Sequence, residues 1–234
     1  MKLSKHVPNG ITLLNALAGS LSIVYAFEQS YPVAAALIAL AAVFDFLDGF
    51  AARLFKAYSP LGKELDSLAD IISFGLAPAM IVFNYYRDLT PGLLNENTMK
   101  ILAFSAFIIP LFSALRLAKF NIDERQSHGF IGLPTPANAL FWAYGVVSIQ
   151  EYNLQASSLV LPVLVLLFSW LLVSPIPMFS LKFSRFSIKG NRLRYFFLAG
   201  CFLLVLLIGW QAISLCVLWY ILLSLFIKAD KHLQ

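Results

Sequence analysis

The chain has 234 residues, 60% of them hydrophobic and only 12% charged, with a mean hydropathy of +0.80. Apolar stretches of about 20 residues recur along its length, which excludes an ordinary soluble domain and predicts a polytopic, all-α membrane bundle. The net charge of +5 lies mostly beside those stretches and reads as anchoring on anionic headgroups, so no nucleic-acid partner is expected.

In chain order the hydropathy predicts eight spans, over 11–27, 31–50, 67–86, 99–118, 135–150, 157–177, 194–209 and 211–227. The last two are separated only by the weak punctuation Gly209-Trp210-Gln211. With both termini in the cytoplasm, the even-numbered connections and the termini carry Lys2, Lys5, Arg53, Lys56, Lys63, Arg116, Lys119, Arg125, Lys182, Arg185, Lys189, Arg192, Arg194, Lys228 and Lys231. Arg87 and Lys100 alone remain on the other side. That asymmetry follows the positive-inside bias and supports the count. The N-terminus shows no signal-peptide cleavage pattern, so the first span is expected to be retained. One membrane domain, 1–234, accounts for the sequence.

The first span opens with Pro8-Asn9-Gly10-Ile11-Thr12. Pro starts a helix readily, and Asn or Thr there can face a nucleotide, although the string reads equally as plain helix entry. The second and third spans hold the most informative feature: Asp45-x2-Asp48-Gly49-x2-Ala52-Arg53, then Gly62-x3-Asp66-x3-Asp70. Spacings of three and four put each acidic pair on one helix face. Four carboxylates in so apolar a chain demand compensating positive charge, most simply divalent metal. Hard oxygen donors with no Cys or His nearby suit Mg²⁺ or Mn²⁺, in this reading two ions, and argue against zinc. Gly49 and Ala52 leave backbone open to a bulky ligand, Arg53 can grip phosphate, Gly62 lets the loop pass close, and Ser59 offers a hydroxyl.

Later segments carry less. Arg116, ending the fourth span, is either a partner for a substrate carboxylate or a snorkelling helix-end residue. Ser73 and Asn121 are candidate hydrogen-bonding partners near it. His128, beside Asp123, Glu124 and Arg125, reads as solvated. Pro175 and Pro177 are expected to end the sixth span. Cys201 and Cys216 read as small space-filling residues, and the four tryptophans as packing or interfacial groups. From 141 onward the helices read as bundle wall, lipid contact or dimer surface.

The full string D-x2-D-G-x2-A-R-x8-G-x3-D-x3-D resembles, at every fixed position, the signature of the CDP-alcohol phosphotransferases. The resemblance implies displacement at the diphosphate of a CDP-linked substrate by an alcohol, with release of CMP, in a helical bundle that is commonly a homodimer. Carried over, Asp45, Asp48 and Asp66 would hold metal, while Asp70 would be the general base and also touch the second ion. Gly49, Arg53 and Ser59 would contact the cytidine diphosphate, and Pro8 to Thr12 would line the CDP-lipid site. Ser73-Phe-Gly-Leu-Ala-Pro-Ala79, Arg116-Leu-Ala-Lys-Phe-Asn121 and Phe130-Ile-Gly-Leu-Pro-Thr-Pro136 look like the branch that transfers phosphatidyl from CDP-diacylglycerol to L-serine. Lys119 stands where that branch has Arg, and Asn138 where it has a small residue. The resemblance spans about 5–140. The expected setting is a bacterial inner membrane, and the basic-residue asymmetry puts the site at the cytoplasmic face. Glycerol 3-phosphate or inositol phosphate are the rival acceptors. A cation transporter using the acidic cluster as its ion site is the reading from another class.

Overall fold

The computed structural model describes residues 6–89, 95–123, 130–154, 159–181, 187 and 191–231. The expectations for Lys2, Lys5, Glu124, Arg125, His128, Lys182, Arg185 and Lys189, and for the side chains of Lys228 and Lys231, lie outside the described residues.

The fold is all-α. Helices α1 (Val7–Phe27) and α2 (Tyr31–Leu54) form a hairpin. Next come α3 (Pro60–Asp70), a π-helical turn (Ile71–Leu76) and α4 (Ala77–Arg87), which run on as one helical segment. Helix α5 (Glu96–Ala103) passes through a 3₁₀ turn (Phe104–Phe107) into α6 (Ile108–Ile122). Helices α7 (Thr135–Glu151), α8 (Val160–Val173), α9 (Arg192–Ile208) and α10 (Ile213–Lys231) complete the bundle. One short antiparallel pair, Phe130↔Met178 and Ile131↔Pro177, ties the segment before α7 to the segment after α8.

Helix boundaries follow local chemistry. Proline lies in the first turn of α1, α2, α3 and α7, where its missing N–H costs nothing. Ser59 caps α3 by accepting from the Gly62 amide at 3.0 Å, and Asn95 caps α5 through the Thr98 amide at 2.8 Å. Helix α8 is shorter than the expected 157–177 span because Ser174 turns extended (ψ 151°) ahead of Pro175 and Pro177. The expected break near 209 is real. Gly209 has φ +83° and ψ −159°, a conformation essentially reserved for glycine.

Four segments, Val7–Phe27, Tyr31–Leu54, Pro60–Arg87 and Glu96–Ile122, are long and apolar enough to cross a membrane. Val160–Val173, with 14 residues, is about 21 Å long against a hydrocarbon core of about 30 Å. Leu13, Leu17, Phe46, Phe50, Leu111, Leu206 and Leu207 point outward, an apolar exterior suited to lipid.

The interior is built from small residues. Helices α1 and α2 pack closely, and Ala34, Ala35 and Ala41 of α2 and Ala18, Gly19, Ser22 and Ala26 of α1 are all buried. Ser22 Oγ reaches the Ala34 carbonyl at 2.8 Å. Close backbone approach of this kind substitutes for the hydrophobic driving force that lipid removes. Hydrogen bonds also sort the connections into two ends. Gln29 donates to Asp88 at 2.8 Å, joining the α1–α2 and α4–α5 ends. Ser148 donates to the Gln211 carbonyl at 3.2 Å, joining the α7–α8 and α9–α10 ends. At the start of α3, Lys63 Nζ donates to the Asn121 carbonyl at the end of α6, at 2.8 Å.

Gly19 is one of the tightest points. A Cβ there would lie 2.3 Å from Ser73 Oγ and 2.6 Å from Ser73 Cα, so backbone would have to move. Gly19→Ala is expected to destabilise the protein by about 1–3 kcal/mol and to lower its thermal midpoint in detergent. Gly10→Ala, where nothing lies within 4 Å, should leave that midpoint in place.

Candidate active site

Three helices build the site. The C-terminal half of α2 supplies Asp45 and Asp48, α3 supplies Asp66 and Asp70, and the first turns of α1 cover both. One carboxylate oxygen each from Asp45, Asp48 and Asp66 lies within 4.8 Å of the other two. Asp70 stands outside that group of three but within electrostatic range of Asp45, Asp66 and Asp48. Like charges at such distances repel by about 3 kcal/mol or more per pair at an effective dielectric near 20. Among the described residues, no Lys or Arg nitrogen comes within 4 Å of any of the four. Asp66 Oδ1 is buried and has no hydrogen-bond partner. An orphaned carboxylate oxygen beside two others fits a divalent cation with hard-donor preference.

Helix α1 meets this cluster with a polar stripe. Thr12 Oγ1 donates to Asp48 Oδ2 at 2.7 Å. Asn15 Nδ2 donates to Asp70 Oδ1 at 3.4 Å. Positions 8, 12, 15, 19 and 22 recur at helical spacing and all are buried. The sequence reading placed Thr12 near a nucleotide but missed Asn15. It lies three residues after Thr12, on the same buried face.

A cavity of about 570 Å³ opens beside the acidic cluster, lined by Pro8, Asn9, Thr12, Asp48, Gly49, Ala52, Ala57, Tyr58, Ser59, Pro60, Gly62, Lys63 and Asp66. Most of the expected CDP-lipid residues are therefore brought together. Gly10 and Ile11 lie outside the lining, and so does the exposed Arg53, whose Nη1 would be 3.9 Å from a Cβ at Gly49. Tyr58 and Lys63 are lining residues the sequence reading left out. Gly62 has a steric reason: a Cβ would sit 3.1 Å from Ser59 Oγ and 3.2 Å from Asn9 Oδ1, where α3 meets α1. Ser59 accepts the Gly62 amide and still has its own hydroxyl proton to give.

The three residues expected near a serine lie apart from this cavity's lining. Arg116 lines a second cavity of about 480 Å³ with Lys119, Ile122, Asp123, Ile131, Leu172, Val173, Ser174 and Pro175. It is buried, its Nε lacks a partner, and its guanidinium stacks 5.4 Å from the Phe120 ring centre. It lies within electrostatic range of Asp70 and Asp45. Asn121 closes a ring of hydrogen bonds. Its Nδ2 donates to Ser67 Oγ at 2.8 Å, Ser67 donates to the Lys63 carbonyl at 3.3 Å, and Lys63 donates back to the Asn121 carbonyl. Ser73 is fully buried and donates to the Asn15 carbonyl at 2.9 Å. Asn138, expected to be a departure from the pattern, is buried with neither amide atom partnered.

Residues 5–175 match the model of the family described as CDP-alcohol phosphatidyltransferase, and the chain belongs to that family. Among individual relatives, it is similar to the CDP-diacylglycerol–serine O-phosphatidyltransferase of Mycobacterium leprae, 35% identical over 185 residues, 74% of this chain and 57% of the relative. The enzyme of that name from Helicobacter pylori is 37% identical over 149 residues, 62% of this chain and 59% of the relative. That from Methanocaldococcus jannaschii is 33% identical over 211 residues, 90% and 89% of the two chains. The chain thus spans less than two thirds of the first two relatives and nearly all of the third.

Thr12→Val keeps the shape of the residue and removes the donor to Asp48. A charge-assisted hydrogen bond is worth about 1.5–3 kcal/mol, so the thermal midpoint of chelator-treated protein should fall. An unchanged midpoint would mean that this bond contributes nothing.

Proposed function

We propose that this chain transfers the phosphatidyl group of CDP-diacylglycerol to the hydroxyl of L-serine, giving phosphatidylserine and CMP. The observation that carries the proposal is the convergence of Asp45, Asp48 and Asp66 beside a cavity lined by the family signature. Similarity to serine O-phosphatidyltransferases over up to 90% of the chain supports serine as the acceptor.

In this reading Asp45, Asp48 and Asp66, with Asp70 at the margin, hold Mg²⁺ or Mn²⁺, in all two ions. Bound there, the metal neutralises the diphosphate and the charge growing on the departing CMP. The protein's own groups do the rest. Gly49, Ala52 and Gly62 leave room for the nucleotide, Asn9, Thr12 and Ser59 offer polar contacts to it, and Arg53, from the rim above Gly49, pairs with phosphate. Pro8, Gly10 and Ile11 shape the helix start that carries those contacts. The serine oxygen forms a bond to the phosphatidyl phosphorus as the bond from that phosphorus to the CMP oxygen breaks, and the hydroxyl proton passes to the Asp70 carboxylate. Holding both substrates in line supplies much of the rate. Arg116, buried with a free Nε, is the proposed partner of the serine carboxylate. Ser73 and Asn121 stay in the proposal as supports of the pocket, since each is already hydrogen-bonded to protein.

The wider setting belongs to the same proposal. Eight helical segments cross a bacterial inner membrane as a single domain, with both termini and the active site cytoplasmic. The sorting of connections into two ends supports that topology, with Lys63 and Asn121 at the site's end and Gln29 and Asp88 at the other. Homodimerisation is proposed on the resemblance alone. Glycerol 3-phosphate and inositol phosphate would each bring a phosphate, for which Arg116 and Lys119 are the cations lining the second cavity.

Purified protein with Mn²⁺ and CDP-diacylglycerol is expected to release CMP with serine, and not with glycerol 3-phosphate, inositol, inositol phosphate or ethanolamine. Release with a different acceptor would overturn serine. No release with any acceptor would favour the transporter. Asp70→Asn should lower turnover by at least about 100-fold while nucleotide binding persists. Asp45→Asn and Asp66→Asn should also weaken Mn²⁺ binding, about 10-fold or more, measured by electron paramagnetic resonance.

A further inference from the structure

We infer that Asn15 is a positioning residue for Asp70, fixing one oxygen of that carboxylate so that the other is presented to the incoming hydroxyl. The inference rests on the reading of Asp70 as the base. Asn15 lies near the middle of α1, fully buried, in a helix whose outward residues include Leu13, Leu14, Leu17 and Leu21. An amide in such a place is costly unless its polar atoms are used. Its Nδ2 reaches Asp70 Oδ1 at 3.4 Å, while its Oδ1 has no partner. A carboxylate held by one directed donor loses rotational freedom about its last bond, and its second oxygen acquires a defined direction.

The surroundings hold Asn15 in turn. Ser73 Oγ donates to the Asn15 backbone carbonyl at 2.9 Å, so the helix turn that carries the amide is tied to the π-helical turn following Asp70. That tie needs the bare Cα of Gly19, against which Ser73 packs. Single-turn π-helical insertions often mark functional positions. Here the turn begins at Ile71, immediately after Asp70, and brings Ser73 back onto α1. Thr12, one turn earlier on α1, does for Asp48 what Asn15 does for Asp70. One helix without a carboxylate of its own thereby aligns acidic residues from two others.

The hydrogen bond that Asn15 gives to Asp70 separates this role from packing. An amide serving only to fill space would be replaceable by leucine, which has nearly its shape. A positioning amide would not.

The test compares wild type, Asn15→Leu, Asn15→Asp and Ser73→Ala as full-length proteins in vesicles containing CDP-diacylglycerol. It measures kcat, KM for each substrate, bound Mn²⁺ and thermal midpoint. Asn15→Leu is expected to lower kcat by about 10- to 100-fold, with KM for CDP-diacylglycerol and bound Mn²⁺ within about two-fold, since Asp45, Asp48 and Asp66 are untouched. Asn15→Asp, lacking the donor and adding charge, should fall at least as far. Ser73→Ala should give a smaller loss with the same split. A kcat within two-fold of wild type in Asn15→Leu would overturn the inference. So would a loss matched by equal loss of bound Mn²⁺ or folded protein. Failure of the underlying reading shows differently: wild type itself releases no CMP, or Asp70→Asn keeps its turnover.

Discussion

The mutual repulsion of four carboxylates in a chain with little other charge is the constraint on which the structure turns. Asp45, Asp48 and Asp66 meet within 4.8 Å, and no basic side-chain nitrogen among the described residues lies within 4 Å of them. Folding alone gives no reason to assemble such a group, because burying unpaired charge destabilises the native state. A cation supplied from outside resolves that conflict. The three carboxylates form a group that could hold a metal ion.

Everything around the cluster serves close approach. Helix α2 presents alanines to α1, Gly19 admits Ser73, and Gly62 lets the start of α3 sit against Asn9. With larger residues at these points the helices would stand apart and the acidic groups would separate. Packing by small residues and placement of charge are thus one requirement, expressed at different depths of α1. Its first turns border the cavity beside the acidic cluster and hold Asp48 through Thr12, its middle holds Asp70 through Asn15, and Ser22 farther along bonds to Ala34.

The acidic pairs were legible in sequence because spacing of three and four residues has a fixed consequence on a helix. So was the glycine break at 209, since a residue without Cβ was needed between two apolar stretches. Asn15 was not legible for the opposite reason: a single amide in an apolar helix has no period. Only the three-dimensional neighbour Asp70 distinguishes it from packing. The π-helical turn at Ile71 to Leu76 has no periodic signature in the sequence, and packing of Ser73 onto Gly19 accompanies it. Arg116 was read as either ligand or anchor, and its burial with an orphan Nε weighs against simple snorkelling. The 14-residue α8 shows where hydropathy overreaches, because 157–177 is apolar but Ser174 and the prolines after it leave the helix early.

The most direct test is an experimental structure of the protein in Mn²⁺, with the metal located by its anomalous scattering. The account predicts a peak among the Asp45, Asp48 and Asp66 carboxylates that is lost in Asp66→Asn. A well-ordered site with no peak there, or Mn²⁺ bound only elsewhere on the bundle, would contradict it.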